Sequence, residues 1–335
     1  MPAVEIDARP VYDFLISACN DCGELGDLLP EDRGWLQEGR AAVLAELGGT
    51  ESAGACIGFV SEIGRMLVVR PEIRTARQVV AAIDALSDAE LLECLFGELI
   101  ESPEVSDFAR KALNGDTAAY AALSDQLKHW KGHAVMPETL AEIAPGARRV
   151  LHTWLPRFEP VEARVGRMLA RDVAGRHMDD MVANPLGFVE KATNGIRLVP
   201  DQRTRRIVLA PSYFGRPYNS MTKVGEITAI CYPLADSALG AGGRAAIPAA
   251  TVRLYRALGD ESRLRILRLL AERDLYLTEL ATELDLSKPT VSHHLAQLRS
   301  AGLVTMTEQG NLTYYTLRRD RVAEAGPELS AFLAG

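Results

Sequence analysis

The sequence predicts an α+β protein that is mainly α, with a helical N-terminal part carrying a few strands and a smaller helix-and-hairpin module at its C-terminal end. Three observations predict it. Apolar residues recur at helical spacing from Val11 to about Ala183. Short β-branched runs bounded by Asn-Gly, Pro and Gly follow between Ile196 and Tyr232. Beyond residue 250, helical segments separated by a short turn lead into an alternating hairpin.

A chain of 335 residues with 47% hydrophobic content is long enough for two packed domains. No run of eighteen apolar residues occurs, so no membrane span is expected. Met1 to Pro10 lacks the basic start and apolar core of a signal peptide. Cysteines at 19, 22, 56, 94 and 231 are odd in number and scattered, which fits a reduced, cytoplasmic protein. The formal net charge is −8. Residues 251–335 hold 11 basic and 11 acidic side chains, so the first 250 residues carry the whole excess of acid. Any nucleic-acid binding must therefore come from local charge placement in the C-terminal part.

Val11, Phe14, Leu15 and Ala18 share one helical face, as do Leu36, Val43, Leu44 and Leu47, and the spacing recurs through Val79–Leu86 and Leu91–Ile100. Gly48-Gly49, Pro71, Ser102-Pro103, Asn114-Gly115 and Pro137 punctuate these segments. Val161–Val182 predicts one long amphipathic helix, and Ile196–Val199, Arg206–Ala210 and Ile227–Tyr232 predict strands. Residues 1–235 are expected to form one domain. Gly240, Gly242 and Gly243 among small residues mark residues 236–249 as a linker. Residues 250–335 then form the second domain.

In that second domain, Ala250–Leu258 and Ser262–Ala271 read as helices, the latter too apolar for a surface position. Leu277–Leu284 follows, with Thr278 as the expected N-cap and Glu279 in the first turn, where negative charge suits the helix dipole. Asp285-Leu286 makes a turn, and Ser287 caps a helix running to about Ser300. Leu303–Thr307 and Leu312–Leu317 alternate around Gln309-Gly310-Asn311 as a hairpin. That order is a winged helix-turn-helix. On the helix after Ser287, Val291, Leu295 and Leu298 form a narrow stripe for the core. Ser292, His293 and Gln297 fall away from it, with Thr290 on its shoulder, and suit base edges in a major groove. Lys288 and the helix N-terminus at Ser287 suit phosphate, and Arg299 joins the expected DNA-binding set. Gln309 and Asn311 belong to the wing tip. Adjacent helical histidines diverge by about 100°, so His293 and His294 are poor partners for a metal; His294 reads as a partly buried structural residue.

Residues 258–317, LGDESRLRILRLLAERDLYLTELATELDLSKPTVSHHLAQLRSAGLVTMTEQGNLTYYTL, resemble the ArsR-type family of winged-helix transcriptional regulators. The resemblance covers about a fifth of the chain. It implies a homodimer on a double-stranded DNA operator, a recognition helix over 287–299, a wing over 303–317, and most often repression relieved by an inducer. The family's metal sensors carry a Cys-x-Cys segment where this chain has DLYLTEL (274–280), and a second site in a last helix that here lacks histidine. Neither site can be built, and no cofactor is expected. Asp285 stands where glycine is usual, a left-handed position that Asp tolerates.

The long N-terminal part is expected to sense a small molecule or to dimerise. ARPVYDFLISA and RIVLAPSYFGRP give it a weak resemblance to an uncharacterised domain on some long regulators of this type. The sequence has no phosphate loop ending in Lys-Ser/Thr, no nucleophile elbow and no His-Glu-x-x-His, so an enzyme is not expected. His177-Met178-Asp179-Asp180 reads as a solvated helix end. Cys19 and Cys22 leave open a thiol- or metal-responsive regulator, with His129 and His133 as conceivable further ligands. A protein-interaction module is the other alternative. Tyr12, Phe14, Trp35, Phe59, Trp130, Trp154, Tyr213, Phe214 and Tyr218 are candidates to line an apolar inducer pocket.

Overall fold

A computed structural model describes residues 1–19, 23–48, 56–58, 60–97, 110–112, 114–122, 137–199, 204–240, 249–309 and 312–334. The N-terminal part contains strand β1 (Ala3–Ile6) and helices α1 (Val11–Ala18), α2 (Pro30–Glu46), α3 (Gly64–Val69), α4 (Ala76–Asp84), α5 (Asp88–Leu95), α6 (Pro137–Ala174), α7 (Met178–Ala183) and α8 (Pro185–Ala192). Strands β2 (Ile196–Leu198), β3 (Arg206–Ser212), β4 (Ser220–Val224) and β5 (Ile227–Pro233) complete it. Side chains set the helix starts: Thr75 with Gln78, and Ser87 with Glu90, form capping boxes, and Asn184 accepts from the Gly187 N–H.

The expected helix Val161–Val182 is corrected at both ends. It begins at Pro137, passes Pro145, Pro156 and Pro160, and stops at Ala174 before the turn at Gly175. Each internal proline removes a hydrogen bond and costs about 3 kcal/mol, which is why the sequence reading starts after Pro160. Ile143, Val150, Leu151, Trp154, Phe158, Val165 and Leu169 are nevertheless fully buried along one face. At about 1.5–3 kcal/mol for each such side chain, that stripe outweighs three prolines.

Strands β1, β3, β5 and β4 lie side by side in that order, with β1, β3 and β5 parallel and β4 antiparallel to β5. Alternation on β3 divides the interior. Val208 and Ala210 join the helical core, whereas Ile207 and Leu209 face a smaller core with Phe188, Val189, Ile196, Tyr232 and Met306. Of the expected pocket aromatics, Tyr12, Phe14, Trp35, Trp154, Tyr213 and Phe214 pack in the helical core, whereas Tyr218 is not part of it and donates to the Glu24 carboxylate. Trp35 lies 5.3 Å from Trp154 and 5.4 Å from Phe214, and Phe14 lies 5.3 Å from Phe158, ring centre to ring centre. A Cβ on Gly39 would stand 2.4 Å from the Trp154 ring, so glycine is required there. Phe59, Trp130, His129 and His133 lie outside the described residues. Asp13, fully buried on α1, accepts from Ser212 Oγ (2.7 Å), Tyr213 N–H (3.0 Å) and Phe214 N–H (2.8 Å), tying α1 to the turn after β3. Burial pushes its carboxyl up to about 6 against those hydrogen bonds.

The C-terminal part comprises α9 (Ala249–Leu258), α10 (Glu261–Glu272), β6 (Leu275–Tyr276), α11 (Leu277–Leu284), α12 (Lys288–Ser300), β7 (Val304–Gln309), β8 (Leu312–Leu317) and α13 (Arg319–Ala334). Its own core is built from Leu254, Ile266, Leu270, Leu280, Val291, Leu295 and Leu298. Helix α11 starts one residue before the expected cap. Thr278 therefore lies inside the first turn, and the Glu279 carboxylate accepts from the Tyr276 N–H at 3.1 Å instead.

Two joins between the parts are not apparent in the sequence. Strand β2 lies well before the expected linker, yet it pairs in parallel with the wing strand β7 in a sheet ordered β2-β7-β8-β6. Residues 236–239, the start of that linker, form a 3₁₀ turn with Ala238 buried, while 241–248 lie outside the described residues. The Asp236 carboxylate binds Arg216 and the Ala250 N–H, Asp27 binds Arg253, and Glu24 binds Arg256 at 3.3 Å. Helix α9 is thereby fastened to the N-terminal part.

Candidate nucleic-acid interface

The turn between α11 and α12 begins at Asp285, whose φ of 54° is left-handed, as its short polar side chain permits. Ser287 caps α12: its Oγ accepts the Thr290 N–H at 3.3 Å and pairs with Thr290 Oγ1 at 2.8 Å. Val291, Leu295 and Leu298 are buried to 1% exposure or less, so the helix cannot rotate without emptying the core. Ser287 and Lys288 at the helix start, and Thr290, Ser292 and His293 turned away from that stripe, are all exposed. These side chains offer donors and acceptors of groove-reading length beside a positive helix end.

Two expected groove residues have other partners. Gln297 Oε1 accepts from Arg263 on α10, while its amide lies 2.9 Å from His293 Nε2. Arg263 is itself buried and also donates to the carbonyls of Ala257 (2.8 Å) and Arg256 (2.7 Å). Arg299 turns back against the wing, with Nη1 3.0 Å from Met306 Sδ, and burial lowers its pKa. It is not part of the exposed set. Gln309 ends β7, and Asn311 lies outside the described residues. His294 is partly buried, with Nδ1 unbonded and 3.9 Å from Asp260, and burial holds its imidazole below its ordinary range.

Asn194 is a functional candidate that the sequence analysis does not single out. It sits between α8 and β2 at a φ of 54°. Its amide donates to the carbonyls of Arg299 (3.4 Å) and Ser300 (3.5 Å) at the end of α12, and its oxygen accepts from Arg318 at 3.2 Å. The only sequence signal was Asn194-Gly195, which read as a strand boundary. A Cβ on Gly302 would stand 3.0 Å from the Asn194 side chain, so this approach also needs glycine.

Cys19 is buried at the end of α1, and Cys22 lies outside the described residues. Among the described residues no three His, Cys, Asp or Glu side chains gather as a metal site, and no helix is long and apolar enough to cross a membrane.

The family model for bacterial regulatory proteins of the arsR family matches residues 260–306. An uncharacterized HTH-type transcriptional regulator of Methanocaldococcus jannaschii is 40% identical over 72 residues, 21% of this chain and 81% of that protein. The arsenical resistance operon repressor of Escherichia coli is 43% identical over 67 residues, 20% of this chain and 57% of the repressor. The transcriptional activator HlyU of Vibrio cholerae is 39% identical over 74 residues, 22% of this chain and 68% of HlyU. Each likeness thus concerns about a fifth of the chain.

Proposed function

This chain belongs to the arsR family of bacterial regulatory proteins, and we propose that it is a homodimeric, cytoplasmic repressor whose operator binding is relieved by a small molecule held in its N-terminal part. That it is a DNA-binding transcriptional regulator follows from the family. The observation that supports base reading is α12 itself, where Thr290, Ser292 and His293 are exposed on a helix whose other face is locked by three buried aliphatic residues. In this reading Ser292 and His293 meet base edges, and Ser287, Lys288 and Thr290 meet the phosphate backbone. Gln297 positions His293 through their contact.

Dimerisation is supported by α13. Val322, Leu329 and Leu333 recur on one face with Phe332 at its shoulder, exposed by 39%, 38%, 74% and 44%. A two-fold contact there would set two α12 helices toward successive major grooves, about 34 Å apart. The acidic N-terminal part would sit away from phosphate. The relatives include a repressor and an activator by name, so a promoter–reporter assay decides the sign. Selection of duplexes from a random pool by the full chain tests the reading. It predicts an enriched inverted repeat bound by two chains; no enrichment, or one chain on an asymmetric site, contradicts it.

A further inference from the structure

A cleft of about 160 Å³ opens between the end of α6, the start of α7, helix α8 and residues 235–237. Buried Phe188 and Ala192 contribute its apolar surface, and Arg171, Arg176, His177 and Lys191 stand around it with Asp172 and Asp180. Asp172 is buried and already committed. It accepts from Arg176 Nε (2.8 Å) and Nη2 (3.2 Å), Tyr232 Oη (2.9 Å) and the Ala235 N–H (2.8 Å). The Arg176 guanidinium also stacks over the Tyr232 ring at 4.4 Å, so this ion pair is fixed and neutral as a unit. Asp180 faces Lys191 at 3.5 Å. Arg171 is left over: among the described residues it makes no side-chain hydrogen bond or ion pair. At the exposed rim of the cleft, Arg171 thus stands without a protein partner among the described residues, beside the apolar surface of Phe188 and Ala192. The cleft volume is close to the roughly 150 Å³ that accommodates a benzene ring in a protein.

We propose that this cleft binds a small organic anion, a carboxylate on a ring-sized apolar body, and that such a ligand is the inducer. The second clause rests on the regulator reading above. The route to DNA is short. Helix α8 forms one wall of the cleft and leads through Thr193, Asn194 and Gly195 into β2. Thr193 Oγ1 ties the two by donating to Val189 C=O (2.8 Å) and accepting the Ile196 N–H (3.1 Å). Beyond it, the Gly195 carbonyl accepts from Met306 N–H on the wing at 2.8 Å, and Asn194 holds the end of α12. A ligand that shifts α8 moves the wing edge and the reading helix together, to the extent of its differential affinity for the two arrangements.

The test uses the full chain. Benzoate and cyclohexanecarboxylate are titrated calorimetrically against their carboxamides, with wild type and Arg171→Ala. The expected result is saturable binding at one site per chain, with the amides weaker by about tenfold or more and Arg171→Ala losing about tenfold or more for the acids alone. Saturating acid should lower wild-type affinity for the selected duplex about fivefold or more, and leave that of Arg171→Ala unmoved. No saturable binding, equal affinity for acid and amide, or an indifferent Arg171→Ala overturns the site. Binding without any change in DNA affinity overturns its role as inducer site. Acid binding by a chain that binds no duplex would instead overturn the regulator reading and leave the cleft standing.

Discussion

Gln297 and His293 lie one turn apart on α12, yet their surroundings differ. Gln297 satisfies the buried Arg263, whereas His293 is exposed. Gln297→Ala should therefore destabilise the chain by about 1–3 kcal/mol, the cost of a buried donor left unpaired. His293→Ala should leave the melting temperature unchanged, and parallel thermal unfolding of the two variants checks this. Equal Tm values would contradict the role given to Gln297. Asp13 allows a pH prediction. Its folded carboxyl titrates near 6 and an unfolded aspartate near 3.9. Between those values the folded chain binds the proton more tightly, so this group's contribution to stability is greatest at low pH and falls as pH rises toward 6. The gap in unfolding free energy between wild type and Asp13→Asn should narrow from pH 4 to pH 6.5, by about 2 kcal/mol; a constant gap contradicts the shift. At this scale the sequence was partly legible. The stripe Val291, Leu295 and Leu298 follows from helical period alone, but nothing local shows that Arg263, far back on α10, reaches Gln297, or that Arg299 turns toward Met306.

Among elements, the short strand β2 matters most for the link between the two parts. Its β-branched text marks a strand, but its partner β7 lies more than a hundred residues away, and pairing of that kind leaves no periodic trace. Strands β1 and β4 were not expected from the sequence, and α6 defeats the usual stop signal because its buried face outweighs its prolines. Asn194 offers a clean probe of the junction. Glycine adopts its left-handed backbone without strain, so Asn194→Gly keeps the path of the chain and removes only the side-chain bonds to α12 and Arg318. Amide exchange in the last turn of α12 should then quicken about fivefold, the size of one net hydrogen bond. Unchanged exchange there would mean that Asn194 does not hold the helix end.

As a whole, the molecule is an acidic, mainly helical body attached to a neutral winged helix by a shared sheet, a small shared core and ion pairs at α9. The C-terminal architecture was readable because each of its elements carries a local signal: caps, period, a left-handed turn and an alternating hairpin. The attachment was not, because it is made by contacts between distant segments. The exposed face of α12 is proposed to read bases. The most direct measurement is a parallel titration of wild type and His293→Ala on the selected duplex and on a random duplex at one fixed salt concentration. Wild type should prefer the selected duplex by about a thousandfold or more. His293→Ala should lose roughly 5- to 150-fold on that duplex, equivalent to about 1–3 kcal/mol, with random-duplex affinity unchanged. Equal weakening on both duplexes, or a wild-type chain with no preference, would contradict the account.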